Sequence, residues 1–408
     1  MRHLRTIETW DDLAMDQIAP EHATASETEP RVEPTVLVRR RRRWPWIVGA
    51  IVLIGLLCGA AQVWANLSYD DAADAFGQAR TSSEPATTTL IATLDHADET
   101  AAAAKSVEAV TTPELFSDEN RTALAAATDD LTEARADADG IGVTPPPAAG
   151  DKPVVPWELF LQASDLQQRT AELHARTDDQ EAAARSLSTA IADIDALGGD
   201  ILRTAREAVP AIEAAAVHAR VAPILALRKA ADTVKRTESD FDGEAATSLL
   251  ELDEAVAAVR ASAKSELAAK AGPLYDARLK AEDYARSISG GVLLEFDWTD
   301  RLLGQGAGQS GAGTATWNSE DGGTSLITLT DSIASYWPAD WTRSLVAHEV
   351  GHSISAKCYE MFDWEDEHAN EQWATAWAMS WGYSAFDSGA DQYGVPSAEM
   401  QKAAASCR

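Results

Sequence analysis

Apolar and polar positions follow three different rhythms along the 408 residues. Residues 1–38 are mostly polar and hold Pro20, Pro30 and Pro34, a composition that buries too little apolar surface to hold a fold. Five arginines, Arg39 to Arg43, are followed by 22 uncharged positions, residues 44–65. Such a run is long enough to cross the hydrocarbon layer as a helix. Trp44, Trp46 and Trp64 stand near its ends, where indole rings favour the interface. Arginines on the N-terminal side predict a single-pass cell-membrane protein with residues 1–43 cytoplasmic and 66–408 extracellular. A cleaved leader is the rival reading, since Val63-Trp64-Ala65 has some cleavage-site character. The 43 residues ahead of it exceed ordinary leaders, so a retained anchor is expected.

Residues 66–288 are rich in Ala, Glu, Asp, Thr and Arg, with almost no aromatics, a composition that as a whole forms helix. Leu249, Leu252, Val256 and Val259 fall at i, i+3, i+7 and i+10, and Leu187, Ile191, Ile194 and Ile201 form a looser stripe. Narrow seams of this kind predict an extended helical, coiled-coil ectodomain able to self-associate. Proline cannot sit inside a helix, so Pro145-Pro146-Pro147 divides the stalk into 66–144 and 157–290, with 145–156 as linker. Asp242-Gly243 reads as a turn between antiparallel helices. The region reads as a stalk, with a partner-binding module as the sharper alternative.

The rhythm changes again at Gly290-Gly291. Eight of the 13 Trp lie in residues 291–408. Residues 314–317 and 325–329 read as strands joined by a turn at Asp321-Gly322-Gly323. Residues 341 to about 356 read as a helix with Leu345 and Val346 facing the core. Trp373, Trp377 and Trp381 recur every four residues, which puts a further helix near Asn370. The fold class is therefore mainly α: an N-terminal transmembrane helix, a helical ectodomain and a small C-terminal α+β domain. The Gly-rich stretch 304–313 has no following Lys-Ser/Thr, so it is not a phosphate loop.

Charge narrows the partners. The net charge is −31, and after residue 43 no segment is basic: residues 66–290 carry 21 basic and 40 acidic side chains, residues 291–408 carry 5 and 17. A nucleic-acid partner is excluded on this ground. Of three cysteines, Cys58 lies in the apolar run, leaving Cys358 and Cys407 as the expected disulfide in an oxidising space.

The chemistry concentrates in His348-Glu349-Val350-Gly351-His352. On a helix, positions i and i+4 share a face, so both imidazoles can reach one cation. A cation there lowers the pKa of a bound water to about 7, and Glu349 stands next to it as a base. Glu371 follows His352 by 19 positions. The pattern HExxH, 18 residues, Glu resembles the gluzincin metallopeptidases over residues 348–371. The resemblance implies a zincin-like domain over 291–408, Zn2+ as cofactor, His348, His352 and Glu371 as ligands, Glu349 as general base, and a peptide or protein substrate. This chain departs from the family at Thr375, where an Asp often orients a ligand His; the Thr hydroxyl offers a weaker version. The metzincin spacing fails, because Ser355 and Cys358 stand where Gly and His are needed. Cys358, Glu365, Asp366, Glu367 and His368 are weaker ligand candidates. Tyr383, Tyr393 and His368 are the candidates for stabilising an oxyanion. Residues 325–329 could bind an extended peptide by strand addition.

The favoured expectation is a membrane-anchored zinc metalloendopeptidase. The alternative is a cell-surface helical scaffold or adhesion protein with a degenerate or structural metal site. Hydrolysis of a non-peptide amide, as in a cell-wall polymer, is a third reading.

Overall fold

The computed structural model describes residues 44–306, 308 and 310–408. The tail 1–38 and the arginine run lie outside the described residues. The fold is mainly helical, with one long apolar helix and a small C-terminal sheet region. Residues up to Trp64 and the body Ala65–Arg408 are separate units.

In the first unit the start of helix α1 (Trp44–Ser106) is exposed and apolar, with Ile47, Ile51, Ile54, Leu57 and Trp64 facing outward. It is long and apolar enough to cross a membrane.

In the body, α1 continues past the apolar run with Ala65, Tyr69, Ala72, Phe76 and Ala79 buried, spaced alternately four and three. They share a core with Leu159, Ala163, Leu166 and Leu173 of α3 (Pro156–Ala215). Between them lie α2 (Asp118–Asp139), capped by the Ser117 hydroxyl, and the non-helical proline segment. Further along α3, Leu187, Ile191, Ile194 and Ile201 enter a second core with α4 (Val221–Thr237) and α5 (Gly243–Ala269). Leu249, Leu252, Val256 and Val259 are fully buried there, so the seam read from the sequence is filled from within the chain. Asp242 caps α5 by accepting from the amides of Glu244 and Ala245. Asp253 of α5 accepts from the amides of Thr111 and Thr112, fixing the end of the first helix.

Helix α6 (Tyr275–Ile288) opens the C-terminal part, since Ala285 and Ile288 lie in its core rather than that of the helical region. The elements β1 (Leu293–Thr299), β2 (Arg301–Leu302), β3 (Gln305–Gly306), β4 (Gly313–Asn318) and β5 (Thr324–Thr330) follow. The three-stranded sheet runs β1-β5-β4. β5 pairs in parallel with β1 and antiparallel with β4, Phe296 opposite Ile327 and Ala315 opposite Ile327. Alternation along β5 buries Ser325, Ile327 and Leu329. Helices α7 (Asp331–Tyr336), α8 (Asp340–Cys358), α9 (Glu367–Ser380), α10 (Asp391–Tyr393) and α11 (Ala398–Ser406) complete the chain. A disulfide joins Cys358 to Cys407, tying the chain end to the end of α8.

A buried polar junction joins the helical region to the sheet. Glu282 of α6, fully buried, accepts from Trp298 Nε1 of β1 at 2.9 Å and pairs with Lys270 at 3.1 Å and Arg286 at 3.2 Å. Nearby, Arg220 bridges Glu266 and Asp297. Burial works against the Glu282 carboxylate, but His218, Lys270, Trp298 and Arg286 together hold its pKa below the usual carboxylate range.

Candidate metal centre

Helix α8 carries the pentad, and α9 carries the third candidate ligand. What brings them together is Gly351. A Cβ there would sit 2.7 Å from the Ala374 Cα and 2.9 Å from its carbonyl oxygen, so only glycine lets the two backbones approach this closely. Trp373 Nε1 donates to the Gly351 carbonyl at 3.1 Å and locks the contact. Trp373 and Trp377 are fully buried between the helices.

This packing places Glu371 against the two histidines. Glu371 Oε2 lies 3.1 Å from His348 Nε2 and 3.4 Å from His352 Nε2, and the two Nε2 atoms are 3.2 Å apart. A four-coordinate cation with bonds of about 2.0–2.1 Å holds its ligand atoms about 3.3–3.4 Å apart. The triangle therefore matches a tetrahedral face, and His348, His352 and Glu371 could hold a metal ion.

The opposite edge of each ring is engaged. His348 Nδ1 donates to the Ser388 carbonyl at 3.0 Å, and His352 Nδ1 donates to Asn370 Oδ1 at 3.1 Å. Each bond leaves the Nε2 lone pair turned to the shared point, the usual way a ligating imidazole is oriented. The Ser388 segment is itself held, because the Ser388 hydroxyl donates to the Ser384 carbonyl and lies 3.1 Å from Ser344 Oγ. The next residue, Gly389, has a positive φ of 105° and passes His348 so closely that a Cβ would lie 3.4 Å from Cε1.

The expectation for Thr375 is corrected here. Its hydroxyl is buried without a hydrogen-bond partner among the described residues; the Ser388 backbone carbonyl orients His348 instead. Neither Ser388 nor Asn370 was picked out from the sequence. Asn370 had a signal in its place just before Glu371, whereas a backbone carbonyl leaves none.

Glu349 is buried beside the cluster, and its Oε2 has no hydrogen-bond partner among the described residues. Gly313, at the start of β4, covers it: a Cβ there would sit 2.5 Å from the Glu349 Oε1. Burial raises the Glu349 pKa, only partly offset by the two histidines. For Glu371, burial acts upward, but His348 and His352 pull its pKa well below the carboxylate range. For His352, burial acts downward and is outweighed by Glu371 and Glu349, so the net shift is up.

Of the three oxyanion candidates, Tyr393 is brought to the cluster. Its ring stacks on His348 with centroids 6.0 Å apart, and burial together with the Glu371 and Glu349 carboxylates pushes its pKa up to about 12. Tyr383 instead shares a 2.6 Å hydrogen bond with Tyr284, and His368 is exposed in the first turn of α9. The weaker ligand candidates also find other places. Cys358 is in the disulfide, Asp366 caps α9, and Glu365 and Glu367 are exposed.

The expected substrate strand is corrected as well. β5 is hydrogen-bonded on both sides, to β1 and β4, so it has no edge to offer. β1 and β4 are the two edge strands of this sheet, and β4 is the one that starts at Gly313, against Glu349. No protein-family model, no curated protein and no solved structure matches the chain.

Proposed function

We propose that the C-terminal part is a zinc metallopeptidase of gluzincin type, held at the outer face of a membrane by the apolar start of α1. The observation that carries this reading is the three-donor triangle with edges of 3.1, 3.2 and 3.4 Å. Two imidazoles and one carboxylate are a donor set that suits zinc and leaves a coordination position for water. Zinc bound there supplies a Lewis acid, polarising a carbonyl and acidifying water.

The rest of the chemistry belongs to the chain. The Glu349 carboxylate, with an unpartnered oxygen, takes the proton of the attacking water and returns it to the leaving amine. The Tyr393 hydroxyl stands on the His348 side of the cluster, where it can donate to oxygen charge developing in the transition state. The open edge of β4 offers backbone groups to an extended peptide, which fixes the scissile bond over Glu349. With arginines 39–43 on the inner side of the apolar run, this centre faces outward.

The test is turnover of an unstructured protein such as casein by the purified full chain and by Glu349→Gln. The variant should keep its metal and lose about two to four orders of magnitude in rate. Unchanged turnover removes Glu349 from the chemistry; no turnover by the unaltered chain leaves the scaffold reading, with a structural metal.

A further inference from the structure

Beside the metal cluster lies a second feature that catalysis as described does not use. A cavity of about 650 Å³ is lined by Trp317, Asn318 and Ser319 of the β4 end, by Tyr359 and Trp364, and by Asn370. Asn370 is also the partner of His352, so the cavity and the cluster share a wall. Trp317 and Tyr359 are nearly parallel, with ring centroids 6.0 Å apart and 18° between planes. Trp364 stands edge-on to Trp317, at 5.7 Å and 75°. The three rings, in two orientations, line the same cavity. Trp364 is 44% exposed, unlike Trp373, which is sealed against Phe362 in the core.

The charge around this space is one-sided. Asp363, Glu365, Asp366 and Glu367 flank Trp364 in sequence and are exposed. Over residues 355–380 there are six carboxylates and one basic side chain, Lys357, which donates to the Gly290 carbonyl. The lining itself carries no charged group. Aromatic faces attract a cation within about 6 Å of the ring, and acidic side chains nearby raise the local concentration of cations.

We infer that this aromatic cavity is a substrate subsite for a cationic side chain, lysine or arginine. The inference rests on the peptidase reading, because it takes the ligand to be part of a peptide lying along β4. Trp317 is the fifth residue of that strand and Gly313, over Glu349, the first. Four steps of about 3.3 Å put the cationic residue within about four positions of the scissile bond. The rings hold the cation and the apolar stem together, while Asn318 and Ser319 offer neutral hydrogen-bond acceptors to its N–H groups.

The experiment measures binding, so that it does not depend on cleavage. The full chain carrying Glu349→Gln, in detergent, is titrated by calorimetry with the peptides acetyl-Ala-Ala-Xaa-Ala-Ala-amide, with Xaa as Lys, Arg, Leu, Phe or Glu. The Lys and Arg peptides should bind at least fivefold tighter than Leu and Phe, with Glu weakest. Adding Trp364→Leu, at an exposed position, should cost the Lys and Arg peptides about fivefold and leave the Leu peptide unchanged. Preference for Leu or Phe, equal loss for all peptides, or no binding by any of them overturns the subsite. If Lys binding depends on Trp364 but the unaltered chain cleaves nothing, the subsite stands and the peptidase reading falls. If the chain cleaves with no preference for basic residues, only the subsite falls.

Discussion

His352 shows how little separates a metal ligand from a buried histidine. Its Nε2 faces Glu371 and His348, and what fixes that direction is one hydrogen bond from Nδ1 to Asn370. Removing an orienting partner of this kind commonly weakens metal binding by 10- to 100-fold. Asn370→Ala should therefore raise the zinc dissociation constant by about that factor while the fold is retained, as measured by competition with a chromophoric chelator. An unchanged constant would show that packing alone aims the ring. His348 offers no equivalent substitution, because its partner is a backbone carbonyl. Its orientation is built into the 384–389 segment and its contact with Ser344.

At the scale of elements, the site is a consequence of two helices touching at Gly351. Gly351→Ala adds one methyl where the Ala374 backbone already stands at 2.7 Å. Overpacking of this kind costs about 1–3 kcal/mol, and here the only relief is to move α9, and Glu371 with it. The expected outcome is a lower thermal midpoint together with weaker metal retention, read by calorimetry and by dialysis against chelator. A stable variant with full metal retention would contradict it. The same contact explains what the sequence could and could not tell. The pentad and the four-residue Trp repeat marked α8 and α9, because both are helical periods. The strands 314–317 and 325–329 were legible from β-branched and apolar residues on either side of a glycine turn, with β4 and β5 extending them slightly. β1 was missed although Leu294 to Trp298 alternates in the same way; its polar face, Glu295 and Asp297, is turned to Val221 and Arg220. Which strand keeps an open edge depends on that unseen partner, so β5 looked available from sequence and is not. The alanine-rich stripe Ala65 to Ala79 also escaped notice, as alanine buries well in a close helix pair yet carries no strong pattern.

For the whole molecule, the junction around Glu282 decides whether the helical region and the metal-centre region behave as one body. Its pKa is held below the ordinary 4.5, so it binds fewer protons folded than unfolded near that pH. Its contribution to stability is then fully present above about pH 4.5 and is lost as pH falls through the lower folded value. Glu282→Gln leaves Lys270 and Arg286 without their shared carboxylate, and breaking a buried pair in this way costs about 3–5 kcal/mol. Urea midpoints should drop for the variant at pH 7, and its further fall between pH 5 and 3 should be shallower than that of the unaltered chain. Parallel curves would mean that the junction does not couple to folding. The central claim is that two imidazoles and the Glu371 carboxylate share one zinc ion, and elemental analysis of the purified full chain tests it most directly. We predict one zinc per chain for the unaltered protein and for Glu349→Gln, and less than about one tenth for Glu371→Ala after dialysis. A Glu371→Ala variant that keeps one zinc per chain, or an unaltered chain that binds none, would contradict the account.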